Sequence, residues 1–183
     1  MPRLPAQLCL FLIACCFSAA SAHAGAAEEL AEYHEKTILK KFDSVKHIDA
    51  SKLSQIGDDI ILFDVREVDE FEVSHIEGAI RVTPDISEKE FMRQFAPMIK
   101  GKTAVFYCAV GYRSSLLAES VQEDLQASGN QQIFNLQGGI FDWHNNHRKL
   151  VDKSGESDNI HPNSRYWGRM LERPDRIRYR NSN

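Results

Sequence analysis

Apolar residues in this chain follow two rhythms. Short compact runs alternate with longer stretches in which apolar residues recur every three or four positions. The compact runs predict strands at Val45–Ile48, Asp59–Val65, Ala79–Val82, Thr103–Tyr107 and Gln131–Asn135. Ile60, Ile61, Leu62 and Phe63 are apolar without interruption, as suits a parallel strand covered on both faces. Between the strands, helical stretches are predicted at Asp49–Ile56 (capped by Asp49 or Ser51), Val68–Ser74, Ser87–Lys100, Ser114–Ser128 and Gly138–Arg148. In Ser87–Lys100, Phe91, Phe95 and Met98 share a face, Ser87 and Glu90 have capping-box spacing, and Gly101 ends the run. In Ser114–Ser128, Leu116, Leu117, Val121 and Leu125 form the apolar face. Trp143 anchors the closing helix. Residues 26–42 predict one more helix, with Leu30, Tyr33, Ile38 and Phe42 as core contacts. Strands alternating with helices predict an α/β fold: a central parallel five-stranded sheet with helices on both faces.

Chemistry concentrates at Val105–Ser115, VFYCAVGYRSS. The strand ends on Cys108, a short loop follows, and a helix starts near Ser114, with Ser114 or Ser115 as its N-cap. A cysteine there faces free backbone N–H groups and the positive end of the helix dipole, which favours the thiolate. Gly111 lets the loop curl, and Arg113 places a positive charge at the rim. The stretch predicts an anion cradle with a nucleophilic sulfur at its base. Asp64, Arg66 and Glu67 cluster at the carboxyl end of the second strand, as an ion pair fixing the turn. His75 has no neighbouring residues at metal-ligand spacing. Its expected role is a hydrogen bond holding the following turn, with Gly78 at the bend.

The motif Cys108-Ala-Val-Gly111-Tyr-Arg113 resembles the Cys-x-x-Gly-x-Arg active-site loop of rhodaneses. Asp64-Val-Arg66-Glu67, His75-Ile-Glu-Gly78-Ala79-Ile80 and Leu136-Gln-Gly138-Gly139-Ile-Phe-Asp-Trp143 resemble further rhodanese motifs in the same order. The resemblance covers about residues 45–150. It implies a rhodanese-like three-layer sandwich and sulfur transfer through a Cys108 persulfide. The loop Ala109, Val110, Gly111, Tyr112 and Arg113 would bind a small anionic donor, with Asp64, Arg66, His75 and Ser114 in support. A thiol or cyanide would accept the sulfur, and neither metal nor organic cofactor is implied. Related phosphatases and arsenate reductases place five residues between cysteine and arginine. Here four intervene, giving a smaller cradle. A persulfide relay serving another exported protein is the remaining alternative.

Charge and the chain's flanks add context. The net charge of −4 gives no reason to expect nucleic acid binding. Residues 1–24 read as an export signal: Arg3, an apolar Leu8–Phe17, and small-x-small sites ending at Ala22 and Ala24. The apolar run is too short for a stable transmembrane span. Cleavage predicts a periplasmic or secreted protein. The alternative is a lipoprotein anchored at Cys15, through Leu12-Ile-Ala-Cys15. Of the four cysteines, Cys9, Cys15 and Cys16 lie in this segment, so the mature chain would keep only Cys108. Residues 25–44 form a helical extension to which no chemistry is assigned. Residues 151–183 form a basic one, polar and loop-like over Gly155–Asn163. Its last part, 161–183, carries six arginines against Glu172 and Asp175. This tail either offers a basic surface to an exported partner or lies back on the acidic body. Tyr166, Trp167, Met170 and Leu171, at helical spacing, favour the second.

Overall fold

The computed structural model describes residues 25–56, 59–129 and 132–179; the segment read as an export signal lies outside them. Five strands build the central sheet: β1 His47–Ile48, β2 Ile60–Asp64, β3 Ile80–Arg81, β4 Thr103–Tyr107 and β5 Ile133–Leu136. Their spatial order is β1-β5-β4-β2-β3, and every pairing is parallel. The fold is therefore the expected α/β arrangement. β4 lies at the centre, and all five of its residues are buried.

Alternation along β4 divides the core in two. Ala104, Phe106 and Cys108 face one apolar cluster, while Val105 and Tyr107 face the other. The first cluster is closed by Phe91 and Ile99 of α4 (Glu88–Ile99) and by Leu117, Ala118, Val121 and Leu125 of α5 (Tyr112–Ala127). The second is closed by Ala50 and Leu53 of α2 (Ala50–Leu53) and by Ile140 and Phe141 of α6 (Gly139–Asn145). Between β2 and β3 lies α3 (Val68–Val73), whose Glu67 and Glu70 form a reciprocal capping box. Asp49 caps α2 by accepting from the amides of Ser51 and Lys52.

Some expectations are corrected. Met98 and Leu116 are exposed, because each sits at the solvent edge of its helix stripe. Ser87 caps α4, but Glu90 turns its carboxylate to Arg93 instead of closing the box. The Gly155–Asn163 stretch read as loop begins inside an antiparallel hairpin, β6 Leu150–Asp152 with β7 Gly155–Ser157.

The flanking segments are part of the packed body. Helix α1 spans 25–41, with one wide π turn at His34–Ile38, and buries Leu30 in one cluster and Ile38 in the other. The basic tail lies back on the protein. Met170 and Leu171 are buried, Arg169 pairs with Glu29 of α1, and Arg173 donates to the His144 carbonyl of α6 at 2.8 Å, while Arg173 and Arg176 also pair with Asp158 within the extension itself.

Two buried imidazoles make the fold acid-sensitive. Burial lowers His34 to about 4, helped by nearby His47, and burial likewise lowers His144 to about 4. As pH falls from the ordinary value of 6.5 towards 4, the unfolded chain binds protons before the folded one does. Their contribution to stability therefore declines across that window and is level above it. The urea midpoint is expected to be lower at pH 5 than at pH 7.5; an equal or higher midpoint at pH 5 would contradict this assignment.

Candidate active site

Cys108 follows directly on β4 and is 1% exposed, at the base of a cavity. The loop after it is short because α5 begins earlier than the serines suggest. Gly111 is the N-cap, with φ of 98°, and the helix starts at Tyr112. Neither Ser114 nor Ser115 caps it. The Ser115 hydroxyl donates to the Gly111 carbonyl at 2.7 Å, inside the first turn. Ser114 is buried and donates to Asn135 at 2.6 Å. Gly111 is required twice over: its φ is left-handed, and a Cβ there would lie 3.1 Å from the Asn135 amide nitrogen. The Gly111 N–H donates to Cys108 Sγ at 3.2 Å, so the start of a 16-residue helix is aimed at the sulfur.

Helix α6 fixes the loop from behind. The amides of Ile140 and Phe141 donate to the carbonyls of Cys108 and Ala109, at 2.9 and 3.1 Å. This is the structural role of the Gly138-Gly139 pair. Gly139 lies against the Cys108 carbonyl, where no side chain fits.

Arg113 reaches the site from α5, but not as a free rim charge. Its guanidinium forms a two-pronged pair with Glu70 of α3, at 2.8 and 2.9 Å, and only 24% of the side chain is exposed. Burial works against that charge, yet Glu70 and the adjacent Cys108 sulfur outweigh it and hold the Arg113 pKa raised. Burial would raise Glu70; Arg113, and then Arg66, overcome this and keep it ionised below its ordinary range. Asn163, from the tail, also donates to Glu70, at 3.3 Å.

The other expected residues lie behind the site. Arg66 is fully buried and grips Asp64 through two bonds of 2.8 and 2.7 Å, then the Ser74 carbonyl at 2.7 Å. That is the turn-fixing ion pair expected from the sequence. His75 holds what precedes it instead of the following turn. Its Nδ1 lies 3.0 Å from the Phe71 carbonyl, its ring stacks on Phe71, and its backbone bridges to Val151 of β6. Neither Asp64, Arg66 nor His75 lines the cavity.

The cavity has a volume of about 330 Å³ and is lined by Cys108, Ala109, Val110, Tyr112 and Arg113. Three further residues complete it: Tyr33 from α1, and Asn163 and Trp167 from the tail. The sequence marked Tyr33 and Trp167 only as packing residues. Nothing local to them points to a site more than fifty positions away.

Residues 46–146 match the family model described as a rhodanese-like domain. The chain belongs to the rhodanese-like domain family. Thiosulfate sulfurtransferase GlpE of Coxiella burnetii is 27% identical over 106 residues, 58% of this chain and 91% of the relative. Among solved structures, a rhodanese-related protein of Thermoplasma volcanium is 24% identical, covering 58% of this chain and 97% of its own, with TM-score 0.45. A Rhodopseudomonas palustris protein of unknown function, described as a possible tyrosine phosphatase, is 25% identical. It covers 62% of this chain and 90% of its own, with TM-score 0.49. Tyr33, Asn163 and Trp167 all fall outside the matched rhodanese-like residues. Among the described residues, no helix is long and apolar enough to cross a membrane.

Proposed function

We propose that this rhodanese-like protein is a sulfurtransferase with Cys108 as nucleophile. One observation carries the reading: a sulfur at the base of a cavity receives the Gly111 amide at the start of α5, with Arg113 beside it. The Cys108 thiolate attacks the outer sulfur of a sulfane donor, of which thiosulfate is the simplest. A sulfur–sulfur bond forms to Cys108, and the donor's own bond breaks with its electron pair, releasing sulfite. The persulfide left on Cys108 carries one negative charge. The Gly111 amide and the helix dipole stabilise that charge in place, as in an oxyanion hole. A thiolate or cyanide then takes the outer sulfur and restores Cys108, a two-step covalent cycle.

Intact mass before and after a sulfane donor is the test. The expected result is a gain of one sulfur atom, removed by cyanide. A thiol shown free by alkylation, with no gain from any sulfane donor, would sink the reading. Turnover of an aryl phosphate would favour phosphatase chemistry instead. The four residues between Cys108 and Arg113 leave a small cradle for a tetrahedral phosphate.

A further inference from the structure

The side chains lining the cavity over Cys108 offer little free positive charge to a small inorganic dianion. Among the residues lining it, Arg113 is the only cation, and Glu70 takes that charge in a two-pronged pair. Lys41 bonds the Tyr112 hydroxyl and lies over that ring, 4.7 Å from its centroid, without lining the cavity. The remaining walls are mostly aromatic and aliphatic: Tyr33, Tyr112, Trp167, Ala109 and Val110. The volume of about 330 Å³ falls at the lower end of cavities that take organic ligands, roughly 300–1,000 Å³.

The aromatic walls are held in place. Tyr33 meets Trp167 edge-on with centroids 5.1 Å apart, and Trp167 meets Tyr166 the same way. Tyr112 packs edge-on against Phe42 at 5.3 Å. The Arg169–Glu29 ion pair ties the tail to α1. Burial and the Cys108 sulfur push the Tyr33 phenol up to about 12, so this wall stays uncharged while the sulfur is negative. These rings are an ordered, neutral surface facing the reactive sulfur.

We propose that this cavity selects donors whose outer sulfur is carried on an apolar organic group, an aryl or branched-alkyl persulfide or thiosulfonate, with Trp167 and Tyr33 setting that preference. The assignment rests on the sulfurtransferase reading and names its substrate class. With a thiosulfonate, the Cys108 thiolate bonds to the outer sulfur, and the bond from that sulfur to the sulfonyl group breaks. The electron pair leaves on the organic sulfinate, so one anion replaces another and no oxidant or reductant is needed. The apolar group rests against the rings while its sulfur meets Cys108.

The test compares benzenethiosulfonate, methanethiosulfonate and thiosulfate as donors to the full-length protein, with cyanide as acceptor. Each kcat/KM is divided by the donor's rate with free cysteine, which removes differences between leaving groups. The corrected preference for phenyl over methyl is expected to be about tenfold, the scale of one buried aromatic contact. Trp167→Ala should reduce it below about threefold, and Trp167→Phe should retain most of it. Thiosulfate as the favoured donor, or a preference unmoved by Trp167→Ala, would overturn the assignment and leave sulfur transfer standing. No persulfide from any of the three donors would overturn both.

Discussion

Serine in place of Cys108 is expected to abolish sulfur uptake, lowering turnover by about 10³-fold or more, with the fold intact. A hydroxyl is a far weaker nucleophile than a thiolate, and among the described residues the hydrogen bond to Sγ comes from the Gly111 backbone amide, which is not a base. The variant should still fold, because a serine hydroxyl can accept the same Gly111 N–H. The checks are donor turnover and intact mass, with a thermal melt alongside. A well-folded Cys108→Ser protein that keeps more than a few per cent of activity would remove Cys108 from the reaction.

The largest effect on stability is expected at Gly139. A Cβ there would lie 2.4 Å from the Cys108 carbonyl oxygen and 2.6 Å from that of Ala109, both backbone atoms that cannot swing aside. Its φ of 58° adds a left-handed penalty of roughly 1–2 kcal/mol for any residue but glycine. Gly139→Ala is expected to cost more than about 3 kcal/mol, in the range reserved for backbone overlap and strain. Even if the chain folds, α6 must move off the loop it braces, displacing Cys108. Gly78 provides the control. Its φ is also positive, at 78°, but no atom lies within 4 Å of an added Cβ, so Gly78→Ala should cost only the conformational penalty. Urea unfolding of the two variants measures the difference. Equal destabilisation would show that the approach of α6 to the cysteine loop is not close.

Local chemistry made the loop readable in the sequence. A strand, a cysteine, a glycine and a helix follow one another within about a dozen residues, so the pieces of the cradle are neighbours in the chain. Arg113 was found as a residue but not as a bonded one. Its partner Glu70 lies 43 positions away and carries no mark distinguishing it from Asp69 or Glu72. The serine cap was misplaced because Gly111, in a left-handed conformation, takes the cap position and draws the helix start two residues forward. The β6–β7 hairpin was missed because Glu156 and Ser157 pair with Val151 and Leu150, leaving no alternating apolar pattern to read. Tyr33 and Trp167 were legible as packing residues. Their meeting over Cys108 depends on the whole fold.

That meeting has a consequence for the order in which the molecule assembles. The sheet and cysteine loop join segments of moderate separation, such as β2 with β4 and β4 with β5. The cavity's outer wall joins α1 to the tail, close to the greatest separation in the described chain. Loop-closure entropy disfavours such long-range contacts until the segments between them are compact. Cys108 is therefore placed early and enclosed last. Until the segment carrying Asn163 and Trp167 docks against α1, the cysteine loop is formed but open to any thiol or oxidant.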